Sequence, residues 1–152
     1  MINLGRSGQE FGPMMKVMEN TIGDLSSAFY KKYGKDALPT IAAVSAKSGA
    51  EYAKIAQKMM PFKSMKDIGE MYKMMTATSG ERMEIVRLSD DVLHFKMSRC
   101  LYGIEGTSQE LCEAMMNSDK IISTLLGEQV NVKAAKSMAG GDKYCEVIYS
   151  KK

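Results

Sequence analysis

The 152-residue chain has the length of one domain, and its 21 Lys and Arg residues nearly balance its 18 Asp and Glu residues, for a net charge of +3. Its 45% hydrophobic and 26% charged residues are ordinary globular values and argue against intrinsic disorder. No basic cluster indicates nucleic acid, no apolar stretch approaches the roughly 18 to 20 residues that span a bilayer, and the amino terminus lacks the apolar core of a signal peptide. These features predict a cytoplasmic protein, one domain over residues 1–152, with no nucleic-acid partner and no membrane insertion.

The sulfur-containing residues are unusual in number: three cysteines and 15 methionines. An odd set of cysteines, Cys100, Cys112 and Cys145, is a poor disulfide framework, so free thiols, core residues or metal ligands are expected. Methionine is flexible and polarizable. Its abundance fits either helical core filling or an interior that adapts to irregular apolar ligands.

Residues 1–79 have the pattern of helices. The first helix is predicted from about residue 10 to Tyr33, with Gly34 as its stop, because apolar residues recur there at steps of three and four. The stripe is expected to be buried, in part against a second copy, which predicts a homo-oligomer. Its members are Phe11, Met14, Met15, Met18, Ile22, Leu25 and Phe29.

Two further helices are predicted before residue 80. The second begins at Asp36, which can cap it, and ends at Met59, just before Pro61. Small residues in its middle allow close approach of another helix or of a ligand. They are Ala42, Ala43, Ser45, Ala46, Ser48, Gly49, Ala50 and Ala53. The third helix begins at Ser64 and ends near Gly80.

Residues 80–152 have the pattern of two hairpins around one helix. Strands are predicted at 81–88 and 92–99, and again at 129–138 and 144–150 around the Gly140-Gly141 turn. Between the hairpins, one helix is predicted from Thr107 to Gly127, with Glu110 in a capping-box position. The order predicts an α+β fold in which N-terminal helices pack on a small antiparallel sheet. The glycine turn lies between strands, so it does not predict a phosphate-binding loop.

Few residues could carry catalytic chemistry. His94 and Cys100 are predicted on one face of a strand but roughly 20 Å apart, so His94 is either a catalytic residue or a solvated cross-strand partner. Cys100, beside Arg99, is either a thiol at a pocket mouth or a small buried hydrophobe. Asp119 lies two turns after Cys112 on the fourth helix, either as a general base or as a partner of backbone donors. The cysteine spacing contains no C-x2-C pair, so no metal or other cofactor is predicted, although zinc stays open.

Residues 80–150 resemble a known family. The segments Phe95-Lys96-Met97-Ser98-Arg99-Cys100-Leu101-Tyr102, Glu110-Leu111-Cys112 with Asp119, and Met138-Ala139-Gly140-Gly141-Asp142-Lys143-Tyr144-Cys145 are similar to the L-2-amino-thiazoline-4-carboxylic acid hydrolase family and to the related 4-vinyl reductase (hydrocarbon-binding) domain. The resemblance implies the ligand-binding fold shared with nitric-oxide sensors and vesicle-tethering subunits. It also implies a pocket between helices and sheet that takes a small molecule.

The two branches of this resemblance imply different functions. The hydrolase branch implies opening of a small cyclic amidine or related C-N bond, with Cys100 as nucleophile or polar anchor, Asp119 acting on water and Arg99 holding a substrate carboxylate. The alternative is a non-catalytic module whose pocket binds a hydrophobic ligand. Further ligand contacts are expected from Tyr102, Cys112 and Asp142.

The sensor branch also implies a zinc site around the last hairpin. Cys112 and Cys145 match it, but Ser137 stands where a cysteine is expected and Ala134 where an acid is expected. Cys112 lies on the helix predicted to cover the sheet and Cys145 opens the last strand, so the two are predicted to lie close together as reduced thiols buried near the pocket floor.

Overall fold

The computed structural model describes residues 4–79 and 83–152, and its elements follow the predicted order. Five α-helices and four strands are present in this part of the chain. The helices are α1 (Leu4–Tyr33), α2 (Leu38–Met59), α3 (Met65–Ser79), α4 (Gln109–Met116) and α5 (Ser118–Leu126). The strands are β1 (Met83–Leu88), β2 (Val92–Met97), β3 (Val130–Lys136) and β4 (Cys145–Lys151). The α+β class is confirmed; residues 80–82, at the predicted end of α3 and start of β1, lie outside the described residues.

The sheet is antiparallel throughout, with strand order β1-β2-β4-β3. Alternation along β2 buries Leu93, Phe95 and Met97 on the face that α3 covers, while His94 and Lys96 point to the other face. α5 covers β3 on the same side. The main core therefore lies between one face of the sheet and the helices.

The third helix begins with a reciprocal cap. Ser64 Oγ accepts a hydrogen bond from the backbone N–H of Lys66, and Asp67 Oδ2 accepts from the N–H groups of Lys63 and Ser64. These backbone bonds hold the pKa of Asp67 below its usual value. The start predicted at Ser64 is confirmed by this cap.

The predicted single helix over 107–127 is wrong, because Asn117 interrupts it. Asn117 adopts the left-handed conformation with φ 38°, and its side-chain amide donates to the carbonyl of Ala42 at 3.0 Å and to that of Ala114 at 2.9 Å. Asn is one of the few residues that tolerates this conformation. The chain therefore forms α4 and α5 as two short helices that both pack on α2. Cys112 and Asp119 lie on different helices rather than two turns apart on one.

Two further expectations about helix starts are corrected. Asp36 does not cap α2, since residues Gly34–Ala37 form a short 3-10 turn and the capping position is Ala37. Ser108 rather than Thr107 caps α4, accepting from the N–H of Leu111 at 3.4 Å. A capping side chain one residue away satisfies the same backbone donors, which is why the pattern misplaces the boundary.

The apolar stripe of α1 was expected to be buried, and in the described chain it is exposed. Met14, Met18, Ile22 and Leu25 are 53–66% exposed, whereas the buried position on α1 is Gly23. The side chains of Phe11 and Met15 lie outside the described residues. Within residues 4–79 and 83–152, no helix is long and apolar enough to span a membrane.

Candidate functional site

A cavity of about 760 Å³ lies on the helical side of the described chain. This volume falls within the range of roughly 300–1,000 Å³ that small-molecule sites occupy. Its wall is formed by α1, α2, α3, the 101–102 loop, α4 and α5. The large apolar members are Ile22, Leu25, Phe29, Ile41, Val44, Met71, Met75, Leu101, Met115, Met116, Ile121 and Ile122.

Small residues let the surrounding helices approach closely enough to form this wall. A Cβ at Gly23 would overlap the carbonyl oxygen of Tyr102, so α1 packs directly on the loop after β2. A Cβ at Gly49 would press on Ile121, which brings α2 against α5. The small face predicted on α2 therefore packs against another helix, and two of its residues, Ser45 and Ser48, line the cavity.

Three tyrosines bring polar atoms to this apolar wall: Tyr52, Tyr72 and Tyr102. The hydroxyl of Tyr52 lies 3.0 Å from the sulfur of Met75 and 3.6 Å from that of Met71. The hydroxyl of Tyr72 lies 3.5 Å from that of Tyr149. Burial raises the pKa of Tyr72 well above its usual value, so this hydroxyl stays protonated and can donate a hydrogen bond at neutral pH.

The floor of the cavity is an aromatic cluster that joins it to the sheet. Tyr72, which lines the cavity, lies 5.5 Å from Phe95 and 6.3 Å from Tyr149 between ring centroids. Phe95 and Tyr149 stack at 5.9 Å, and both are almost fully buried. Such offset aromatic contacts hold ring orientation firmly. The position of the Tyr72 hydroxyl is therefore set by the core.

The three cysteines are neighbours around Cys112 on α4, and none of them lines the cavity. Cys100 and Cys112 are buried and Cys145 is half-buried. Burial raises the pKa of the Cys112 thiol to about 11, the neighbouring Cys100 and Cys145 add to this rise, and the Ser137 hydroxyl opposes it. Burial also raises the pKa of Cys145. Cys145 is therefore a neighbour of Cys112, as predicted, but it is half-buried rather than buried, and both thiols lie outside the cavity rather than at its floor. The thiols of Cys112 and Cys145 are protonated at neutral pH.

This thiol cluster does not fit the zinc implied by the sensor branch. Among the described residues, no group of three or more His, Cys, Asp or Glu side chains is arranged to hold a metal ion. Ser137 and Ala134 occupy the two positions where ligands are expected, and the raised pKa of Cys112 opposes the thiolate that zinc needs. Cys112 instead lies 3.6 Å from the sulfur of Met116.

The other predicted site residues are spread over the molecule. His94 and Glu146 pair across the uncovered face of the sheet at 2.8 Å, as the cross-strand alternative predicted. Arg99 is exposed, because β2 ends at Met97 and the chain bends before Cys100 turns inward. Cys100 therefore does not share a face with His94, which corrects the predicted alternation.

Asp119 and Asp142 lie at chain turns. Asp119 is in the first turn of α5, outside the cavity lining. Asp142 accepts a hydrogen bond from the N–H of Ser137 at 2.8 Å and so closes the Ala139-Gly140-Gly141 turn. Of the predicted site residues, only Tyr102 lines the cavity. The roles proposed for Cys100, Asp119, His94, Arg99, Cys112 and Asp142 stay predictions. Cys100 and Cys112 are neighbours, but none of the six side chains lines the cavity.

Sequence reasoning missed most of the cavity wall. Met71, Met75, Met115 and Met116 have the helical spacing of core residues, and a core residue and a cavity-lining residue have the same pattern. Two sequence features were compatible with a bound ligand: the methionine content and the small residues of α2. Neither feature showed where in the fold the ligand would bind.

Comparisons with known proteins identify the fold but not a family. No family model matches the chain, and no curated protein matches it. Among solved structures, the trafficking protein particle complex subunit 3 of Naegleria fowleri, covalently bound to palmitic acid, is similar with a TM-score of 0.62 at 15% identity. That match covers 90% of this chain and 94% of the other. The phenol-responsive sensory domain of the transcription activator PoxR, solved with phenol, is similar with a TM-score of 0.57 at 16% identity, over 88% of this chain and 74% of the other.

Proposed function

We propose that this protein is a non-catalytic module that binds a small hydrophobic molecule in the helical cavity. The observation that carries the proposal is the character of the cavity: about 760 Å³, lined by methionine and aliphatic side chains, with a few tyrosine hydroxyls. Ligand sites are typically concave, mostly apolar and equipped with a small number of polar groups that orient the ligand. Methionine side chains adapt to apolar ligands of irregular shape.

The ligand would be largely hydrocarbon and carry one hydrogen-bonding group. The neutral Tyr72 hydroxyl, at the aromatic floor, can donate to such a group, and Tyr52 and Tyr102 offer further hydroxyls on the wall. Phenol and palmitic acid, which the two similar structures hold, both have this combination of an apolar body and one oxygen-bearing head. They define the two size classes to test.

Hydrolysis of a cyclic amidine has less support. That reading needs Cys100, Asp119 and Arg99 to meet a substrate, and none of the three lines the cavity. A nucleophilic cysteine also needs thiolate character and access, whereas Cys100 is only 5% exposed. We also propose that the protein is cytoplasmic, as the sequence predicts.

A fluorescence titration with cis-parinaric acid, competed by palmitate or phenol, tests the proposal. Ser45→Phe places a ring in the cavity from the α2 wall and should weaken binding at least about tenfold. Ala43→Phe adds the same ring on the exposed side of α2 and serves as the matched control. Equal affinities for the wild type and both variants, or no binding at all, would contradict the proposal.

The head-group contact has its own variant. Tyr72→Phe removes one hydroxyl and keeps the ring, so the affinity for a phenolic or carboxylic ligand should fall by about 1 kcal/mol. The affinity for a hydrocarbon of the same size should not change. A loss that is equal for both ligands would show that Tyr72 acts through packing.

A further inference from the structure

The polar part of the cavity wall consists of hydroxyl groups. Seven hydroxyl side chains are among the described lining residues, and they come from α1, α2, α3 and the 101–102 loop. They are Ser26, Thr40, Ser45, Ser48, Tyr52, Tyr72 and Tyr102. No Asp, Glu, Lys, Arg or His is among the described lining residues, although charged residues make up 26% of the chain. The described wall can therefore form hydrogen bonds but offers no charge to a ligand.

Three of these hydroxyls lie in one line along α2. Ser45, Ser48 and Tyr52 follow one another at steps of three and four residues, so they share one face of the helix over roughly 10 Å. Ser45 is half-buried, whereas Ser48 and Tyr52 are exposed, so the line leads from a covered to an open part of the wall. A ligand that lies along α2 therefore meets a hydroxyl at each turn.

The serine hydroxyls of the wall have no hydrogen-bond partner within the described part of the chain. A helical hydroxyl commonly bonds the backbone carbonyl one turn earlier, as Thr124 does to Lys120 at 2.8 Å. Ser26, Ser45 and Ser48 form no such bond with any described residue. Since a serine hydroxyl both donates and accepts, each of them can pair with the hydroxyl of a ligand.

An ionised carboxylate would find no counter-charge on this wall. A cation does lie beside it, but Lys16 is not a lining residue, and its Nζ lies 3.4 Å from the carbonyl oxygens of Cys100 and Leu101. A carboxylate in the cavity would lose water without gaining an opposite charge, which is unfavourable. It keeps its hydration only at the open side along α1, where the lining residues Ile22 and Leu25 are 53% and 66% exposed.

We propose that the cavity selects uncharged amphiphiles, with an apolar body and an alcohol or phenol hydroxyl, over carboxylates of the same shape. This selectivity rests on the proposed function. The ligand hydroxyl pairs with Ser45 or Ser48, and the apolar body contacts the methionine and aliphatic side chains. A binding site equipped with hydroxyl partners and no charge discriminates by the head group of the ligand, because the apolar bodies are equivalent.

Isothermal titration calorimetry of the full chain with 4-hexylphenol, 4-hexylbenzoate and hexylbenzene at neutral pH tests this selectivity. The three probes share one apolar body, and at neutral pH the phenol is uncharged while the benzoate is ionised. The wild type should bind 4-hexylphenol at least about tenfold more tightly than 4-hexylbenzoate. Equal affinities, or tighter binding of the benzoate, would overturn the selectivity and leave the proposed function standing. No binding of any of the three probes would contradict the proposed function itself.

Removing the α2 hydroxyls should affect only the probe that carries a hydroxyl. The double variant Ser45→Ala, Ser48→Ala should bind 4-hexylphenol about fivefold more weakly and should bind hexylbenzene no more weakly than the wild type does. Ser27→Ala, at a half-buried position on α1 outside the cavity lining, is the matched control and should change neither affinity. An unchanged affinity of the double variant for 4-hexylphenol would overturn the assignment of these hydroxyls.

Supplying a cation should reverse the discrimination against the carboxylate. Ser48→Lys places an ammonium group on the wall and should raise the affinity for 4-hexylbenzoate at least about fivefold. Ala43→Lys adds the same charge at an exposed position of α2 outside the lining and should leave that affinity unchanged. Far-ultraviolet circular dichroism checks that the variants fold. Equal benzoate affinities for the two folded lysine variants would show that the missing charge is not what excludes carboxylates.

Discussion

The helical cavity and the thiol cluster are neighbours at α4, where Cys112 contacts the cavity-lining Met116, and they differ in chemistry and access. The cavity is open along α1, apolar, and lined by methionines with a few tyrosine hydroxyls. The thiol cluster is closed, and burial raises the pKa of its Cys112 thiol to about 11. The cysteines, which suggest chemical reactivity in the sequence, thus lie in the closed region and are unreactive there. Space for a ligand exists where the sequence shows only helix-forming and apolar residues.

The largest expected effect comes from the contact that forms the cavity wall. Gly23→Ala forces a methyl group against the Tyr102 carbonyl oxygen, so α1 must shift away from the loop. We expect a loss of about 3 kcal/mol in the free energy of unfolding and weaker ligand binding. Urea unfolding measures the first and probe titration the second. Thr21→Ala, at an exposed position two residues away on α1, is the control and should change neither.

Substitution of a buried cysteine should lower the stability of the fold without changing ligand binding. Cys100→Ala and Cys112→Ala each remove a buried sulfur, and each should lower the free energy of unfolding by about 2 kcal/mol. Neither side chain lines the cavity, so the probe affinity should stay at the wild-type value. For Cys100 this differs from the resemblance-based expectation that it acts as a nucleophile or polar anchor for the ligand. A Cys100→Ala variant with normal stability and altered affinity would restore that expectation.

Much of the fold could be predicted from the sequence, because apolar periodicity and turn residues are local signals. The two hairpins, the Ser64 start of α3 and the inward face of β2 all follow from such signals. The break at Asn117 could not be predicted, since it depends on a carbonyl of Ala42 that lies 75 residues away. The outward orientation of α1 depends in turn on Gly23 meeting the Tyr102 loop. The candidate site follows from these long-range contacts, so residue type alone pointed to the cysteines instead.

The thiol cluster should also affect how the free energy of unfolding depends on pH. The pKa of Cys112 rises from an ordinary value of 9.0 to about 11 in the folded chain, so the folded state keeps its proton where the unfolded state loses it. The contribution of this thiol is therefore fully present below pH 9 and is lost as the pH rises from 9 to about 11, by about 2 to 3 kcal/mol in all. Urea unfolding at pH 8, 9 and 10 measures the slope. Cys112→Ala should flatten it, and an unchanged slope would contradict the assignment.

The smallest effect is expected on the uncovered face of the sheet. His94 and Glu146 form a pair whose side chains are 20% and 16% exposed, and neither residue lines the cavity. Glu146→Gln should lower the free energy of unfolding by less than about 1 kcal/mol and leave the probe affinity unchanged. Thermal unfolding and the probe titration measure both. A large loss of ligand binding would return His94 to the list of site residues.

The methionines offer the most direct test of the central claim, that the ligand occupies the helical cavity. Carbon-13 labelling of the methionine methyl groups places reporters on both regions. Met71, Met75 and Met115 line the cavity, whereas Met83, Met97 and Met138 lie outside it. Titration with palmitate or phenol should shift the methyl resonances of the first three and leave the last three in place. Shifts confined to Met97 and Met138, or no shifts with either ligand, would contradict the account.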